Sequence, residues 1–186
     1  NQKVEVACRY KLSEDKLSVQ FEFPKAYNKN YELIIDPTLV FARLSNSTSD
    51  NFGFTATYDD VGRAYAGGIV FGVSGLYITT PGSFNTSYNG GDSNPFGGAA
   101  IDIGISCYHQ TTGALIYGTY LGGSGNELPN SMIVNKQGEL VVLATTGSNN
   151  FPIGTSSFDN SFNGGTLVDL QSNGIYFPNG SDIVVF

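Results

Sequence analysis

Apolar and polar residues alternate with a period of two along most of the chain. Val4, Val6, Cys8 and Tyr10 alternate with polar neighbours, as do Leu17, Val19, Phe21 and Phe23. Successive side chains on a strand point to opposite faces, so this pattern predicts half-buried β-strands. A third short strand is predicted over 31–35, with Ser13-Glu14-Asp15 as the first turn and residues 24–30 as the second connection. Further along, predicted strands over 54–58 and 64–71 are joined by Asp59-Asp60-Val61-Gly62. Those over 131–134 and 139–146 are joined by Asn135-Lys136-Gln137-Gly138. Both are hairpin signals in which glycine supplies the positive φ of the turn. Strands are also predicted over 101–108 and 114–120, turned at Thr111-Thr112-Gly113.

The second hairpin repeats the first. At a constant offset of 76, residues 41–71 align with 117–147: Asp50-Asn51-Phe52 falls on Asn126-Glu127-Leu128, Tyr58-Asp59 on Val134-Asn135, and Gly62 on Gly138. At an offset of 74, Tyr77 meets Phe151, Phe84 meets Phe158, and Asn89-Gly90-Gly91 meets Asn163-Gly164-Gly165. At an offset of 80, Ile101-Asp102-Ile103 reappears around Asp182-Ile183. Self-similarity at a fixed period implies stacked or ringed units, none able to bury its apolar face alone. Four antiparallel strands per unit is the count for one propeller blade. The fold expected is therefore all-β: a partial β-propeller over 38–186, with a full blade at about 52–120 and half of another at about 130–186. Residues 1–37 do not repeat and read as the C-terminal part of a separate β-domain. The boundary is set at Asp36-Pro37, where proline forces an extended entry. Two connections of about 30 residues, 72–100 and 147–181, exceed the usual length of structureless loops and are the expected recognition surface.

Composition narrows the function classes. Charged residues are only 13% of the chain while 24 of 186 residues are glycine, so Asn, Ser, Thr and Gly must cover much of the surface. A hydrophobic fraction of 40% with 13% aromatic residues argues against disorder, and a net charge of −7 without Lys/Arg stripes argues against nucleic acid. No apolar run is long enough to span a bilayer as a helix. Asn1 is not a start residue, so the chain reads as an internal piece of something longer. Cys8 and Cys107 sit on the apolar side of their alternating segments. They read either as buried free thiols or as a disulfide closing a loop of about 100 residues.

The stretch LIYGTYLGGSGNELPNSMIVNKQGELVVLATTGSNNFP, together with Thr79-Thr80-Pro81-Gly82-Ser83-Phe84, resembles the SBBP family of β-propeller repeats. YELIIDPTL is similar to the close of the β-domain that often precedes such repeats in large surface proteins of gliding bacteria. The resemblance implies secretion, commonly through a type IX sorting domain, and a cell-surface location with a possible link to gliding motility. In the family's strand order, residues 39–44 would be an orphan outer strand that closes the ring. The remaining blades of the same protein would complete it. Leu128-Pro129 and Ser131-Met132 depart from the family's Tyr-Gly and Gly-Ile, and Ser45-Asn46-Ser47 replaces its Leu-Gly-Gly corner.

Catalytic chemistry is sparse. His109 is the single histidine, which leaves no imidazole cluster for a metal or a nucleophile–base pair, and it reads as a surface residue before a turn. Gly122-Gly123-Ser124-Gly125-Asn126 lacks the last glycine of a nucleophile elbow and reads as a structural corner. Asp50, Asp59 and Asp60 could seat calcium, although the D-x-D-x-D-G spacing is absent and turn capping is the plainer account. Asp102 and Asp182 recur at strand starts and read as acceptors of backbone N–H groups. The function expected is a non-enzymatic adhesion, binding or scaffolding module, in contact with glycans or with surface or secretion-machinery proteins. Its loop candidates are Tyr77, Tyr88, Phe96, Tyr176 and Phe177, whereas the recurring Phe84 and Phe158 are expected to pack. The alternatives are a polysaccharide-active propeller hydrolase or lyase with its acids in other blades, and a secretion cargo or subunit of a surface assembly.

Overall fold

The turn at Asp59 shows how sequence becomes register. In the computed structural model, Asp59 Oδ1 accepts the backbone N–H of Val61 (3.1 Å) and Arg63 (2.9 Å). Its carbonyl accepts from Gly62, which takes a φ of 84°. Asn135 repeats the arrangement: its Oδ1 accepts from Gln137 (3.0 Å) and Glu139 (2.9 Å), and its carbonyl accepts from Gly138, with a φ of 80°. A short polar side chain that closes on the backbone two residues ahead fixes the turn, and glycine at the left-handed position removes the Cβ penalty.

These turns join β3 (Asn51–Tyr58) to β4 (Ala64–Phe71) and β7 (Glu127–Val134) to β8 (Leu140–Thr146). The two ladders share one register. Asn51 opposite Val70 through Tyr58 opposite Ala64 becomes Glu127 opposite Thr146 through Val134 opposite Leu140. A bulge falls between Gly53 and Thr55 in one and between Pro129 and Ser131 in the other. Pro129 is tolerated inside β7 because β7 lies at a sheet edge, where a missing N–H costs no ladder bond.

The structure describes residues 4–14, 18–34, 41–72, 76–91, 100–155, 157–170 and 175–186, and the chain separates into two compact units, Asn1–Thr38 and Leu39–Phe186. It is all-β, with no helix among the described residues. In the first unit, β1 (Arg9–Leu12) pairs antiparallel with β2 (Val19–Glu22), setting Tyr10 opposite Phe21 with ring centroids 5.1 Å apart. Cys8 precedes β1 and is exposed, and both cysteines are free. The strand expected over 31–35 is absent from its described part, 31–34. After a turn in which Asn28 Oδ1 accepts from Asn30 N, that segment has no strand beside it among the described residues.

In the second unit, β3, β4, β5 (Ile101–Tyr108) and β6 (Leu115–Leu121) form one four-stranded sheet in chain order. β7, β8 and β11 (Asp182–Val185) form a three-stranded sheet with β8 in the middle, so β11 takes the place of β5. The long connection between β8 and β11 folds into a small hairpin of its own, β9 (Val168–Leu170) with β10 (Ile175–Phe177). Residues 41–44 form no strand, and Leu39 and Val40 lie outside the described residues. Phe41 lies against Gly113 in the β5–β6 turn and Arg43 Nη2 donates to the Thr112 carbonyl at 3.5 Å, so this segment crosses a turn. Among the described residues the sheets close into neither a barrel nor a ring.

The core lies between the two larger sheets. Tyr65, Ile103, Ile105, Cys107 and Leu121 on one face of the first meet Met132, Val142, Ala144 and Val184 of the second. Removing such side chains from water contributes about 1.5–3 kcal/mol each. A Cβ added at Gly67 would stand 2.8 Å from Met132 Sδ, so glycine is what allows the thioether to cross there.

Candidate functional site

Three places in the second unit bring polar or apolar groups together. The first is a pair of carboxyl groups at the corner between the sheets. Asp102, at the start of β5, and Glu127, at the start of β7, are both 0% exposed. Glu127 Oε1 accepts from Thr146 Oγ1 (2.7 Å) and Ser148 Oγ (2.5 Å), and Oε2 from Gly123 N (3.1 Å). Asp102 Oδ2 accepts from Asn89 N at 2.7 Å, while Oδ1 has no ordinary donor. Asp102 Oδ1 and Glu127 Oε2 both crowd Gly122, where a Cβ would fall 2.4 and 2.6 Å from them.

Burial pushes the Asp102 carboxyl up to about 8, against the Asn89 N–H and with the help of Glu127's charge. Burial also raises Glu127, against its bonds from Ser148, Thr146 and Gly123. Glu127 has three donors for its charge and Asp102 has one. Glu127 is thus the better-satisfied carboxylate of the two, and Asp102, whose Oδ1 has no donor, is the better holder of a proton. Asp182 accepts from Asn163 N at 2.7 Å, as Asp102 does from Asn89 N. Both aspartates thus hold an Asn-Gly-Gly corner. The pair is sealed from solvent, so no substrate bond reaches it.

The corner 122–126 is structural. Ser124 N and Oγ both donate to Asn150 Oδ1 (2.8 and 2.9 Å), Gly125 N donates to Ser148 Oγ (2.7 Å), and a Cβ at Gly125 would meet the Gly147 backbone at 2.6 Å. Asn126 Oδ1 accepts from Ile101 N and its Nδ2 donates to the Tyr176 carbonyl, tying both sheets to β10. In the first copy Asn46 takes a φ of 55°, a left-handed conformation that Asn tolerates.

Of the calcium candidates, Asp59 is used otherwise. Asp59 is buried, and its Oδ2 accepts from Arg63 Nε (2.5 Å) and Tyr65 Oη (3.1 Å). Burial raises its carboxyl, but these bonds outweigh burial and hold it below the ordinary value. Asp50 and Asp60 are exposed, and no group of three or more His, Cys, Asp or Glu among the described residues could hold a metal ion. His109 Nδ1 accepts from Thr111 N at 3.2 Å, which makes it a turn cap.

The loop aromatics divide differently from the sequence reading. Tyr77 is buried: its N–H donates to Tyr120 Oη (2.7 Å), its hydroxyl pairs with Ser106 Oγ (2.5 Å), and burial pushes it up to about 12. Phe177 is buried with Ile175 against Ile69 and Ile101. Neither can face a partner. Tyr88 and Tyr176 are half-buried, and Phe96 lies outside the described residues. Phe84 and Phe158, expected to pack, are exposed at 67% and 108%.

Phe84 stands at the third place, an apolar cleft of about 500 Å³ walled by residues 80–84, by Tyr117, Thr119 and Leu121 of β6, by Leu140 and Val142 of β8, and by Phe186. The loop wall is fixed to β6 by Thr80 N to the Gly118 carbonyl (3.1 Å) and Asn85 N to Thr119 Oγ1 (2.9 Å). The sequence reading missed this cleft because its walls, the 80–84 loop, β6, β8 and Phe186, are far apart in the chain.

Residues 1–38 match the model of a domain of unknown function (DUF7948). No curated protein and no solved structure matches the chain. No helix among the described residues is long and apolar enough to cross a membrane.

Proposed function

We propose that residues 38–186 are part of a β-propeller, and that the chain is a non-enzymatic, secreted or cell-surface module for adhesion, binding or scaffolding. The observation that carries this reading is the open apolar cleft beside β6, with a few polar groups at its wall and Phe84 at its rim. Concave, mostly apolar sites with few polar groups are where small ligands and extended segments are held. The propeller reading is supported by the repeated hairpin register and bulge, and by sheets that pack face to face. The low charge and the Asn-, Ser- and Gly-rich surface fit an extracellular setting.

The test is binding of the intact chain to glycan and peptide arrays, with polysaccharide turnover measured in parallel. A ligand whose affinity falls about tenfold or more in Phe84→Ala, with thermal stability unchanged, supports a binding module. Turnover of a polysaccharide by the wild-type chain would overturn the non-enzymatic reading in favour of a hydrolase or lyase.

A further inference from the structure

The connection over residues 76–91 lies on the outer face of the first sheet, where Tyr77 and the half-buried Tyr88 pack on Val70 and Tyr120. Its two ends are fastened differently. At the first, Tyr77 N–H donates to Tyr120 Oη and the Tyr77 hydroxyl pairs with Ser106 Oγ. In the middle, Thr80 N donates to the Gly118 carbonyl, Asn85 N to Thr119 Oγ1 and Tyr120 N to the Asn85 carbonyl. The sheet residues in these bonds are neutral and belong to β5 or β6. Past Asn85 the fastening passes to Asn89, whose N–H donates to Asp102 Oδ2 (2.7 Å) and whose Nδ2 donates to the Gly122 carbonyl (2.9 Å). Residues 85–91 thus form an arm whose hold on the sheet includes a carboxyl.

Asp102 Oδ1, which has no ordinary donor, and Glu127 Oε2 both lie within 2.6 Å of the point where a Gly122 Cβ would stand. With one proton between them the pair carries one charge. With none it carries two, in a site sealed from water, and like charges so placed repel strongly. The groups that face the pair offer no relief. They are Tyr88 from the arm, with Tyr120 of β6 behind it, the Thr146 and Ser148 hydroxyls at the end of β8, and Gly123 N from the corner. No Lys, Arg or His among the described residues forms an ion pair with either carboxyl. Burial raises the Tyr88 hydroxyl, so it stays neutral. One carboxylate must then turn to water. Glu127 is held by three donors of the second sheet and its corner, Asp102 by Asn89 N. Asp102 is the one that turns, and Asn89 loses its acceptor.

We propose that the proton held between Asp102 and Glu127 is a latch on residues 85–91: with it the arm lies on Val70 and Tyr120, and without it the arm swings free while the sheets stay folded. The Asp102 backbone keeps its place opposite Val70 in the β4–β5 ladder, so release needs no loss of strand. The arm continues from the 80–84 wall of the apolar cleft, so the same proton steadies that wall. The latch stands whether or not the cleft holds a ligand, and the two can fail separately.

Hydrogen exchange of the full 186-residue chain, read by mass spectrometry, tests it. Protection is compared at about pH 6 and about pH 9.5, either side of the raised Asp102 value of about 8, with rates corrected for the intrinsic pH dependence of exchange. In wild type, protection of residues 85–91 is expected to fall about tenfold or more at the higher pH while that of β5 and β7 holds. Asp102→Asn keeps an acceptor for Asn89 N–H and never charges, so its arm should be equally protected at both. Glu127→Gln leaves a single carboxyl to ionise and should also keep its arm in place, whatever its overall stability. Wild-type arm protection that is the same at both pH values would overturn the inference. So would loosening of the arm in either variant by the wild-type factor, or loss of protection in the arm and β5 together, which is global unfolding.

Discussion

At the scale of single residues, position in the repeat decides what a carboxyl does. Asp59 and Asn135 close the same turn, but only Asp59 adds a charge pair with Arg63. Asp102 and Asp182 hold the same corner, but only Asp102 faces a second carboxyl. Burial raises Asp102 from 3.8 to about 8, so between those values the folded chain keeps a proton that the unfolded chain releases. Its stabilising contribution is complete below about pH 3.8, falls as pH rises through the window, and is lost above about 8. Glu127 shifts the same way and titrates with it, and the buried Tyr88 hydroxyl faces the pair. Asp59 has the opposite sign, since its depressed value gives stability that disappears as pH falls into the acid range.

Melting curves across pH separate the two partners. Asp102→Asn can still accept from Asn89 N–H and donate to Glu127, so it should remove most of the neutral-range slope and match or exceed wild type at pH 8. Glu127→Gln puts an amide NH2 in place of one of two accepting oxygens, facing either Gly123 N or the Thr146 and Ser148 hydroxyls, and should cost about 1–3 kcal/mol. A slope that persists in Asp102→Asn would place the proton elsewhere.

At the scale of elements, the hairpins were legible and the connections were not. Alternation and the Asp59–Gly62 and Asn135–Gly138 turns located β3, β4, β7 and β8 because local chemistry fixes a hairpin. β7 begins four residues before the predicted 131, since Pro129 reads as a breaker unless one knows that the strand lies at an edge. β9 and β10 are three residues each and owe their pairing to Ile175 and Phe177 resting on Ile69 and Ile101, contacts no local pattern announces. Tyr77 and Phe177 looked like loop aromatics for the same reason, while the recurrence of Phe84 and Phe158 suggested packing that neither has. The corresponding turns should respond alike to substitution. Gly62→Ala and Gly138→Ala each force a Cβ onto a left-handed residue, and urea unfolding should show each losing about 1–2 kcal/mol. A loss at one site alone would mean the two turns are not equivalent.

At the scale of the molecule, the offset of 76 in the sequence is a physical translation of register, bulge and turn from one sheet to another. The sequence foretold the period. It did not say which face of one unit meets which face of the next, because that depends on where Gly67 and Met132 arrive in space. Their contact also explains why neither hairpin stands alone: each sheet has one face that only the other covers.

A double-mutant cycle on Gly67→Ala and Met132→Ala, followed by urea unfolding, tests the face-to-face packing of repeated sheets most directly. A methyl at Gly67 should collide with Met132 Sδ in an otherwise wild-type chain and be relieved once Met132 is shortened, giving a coupling of about 1 kcal/mol or more. If the two losses simply add, to within about 0.5 kcal/mol, the sheets do not meet at this pair and the account is contradicted.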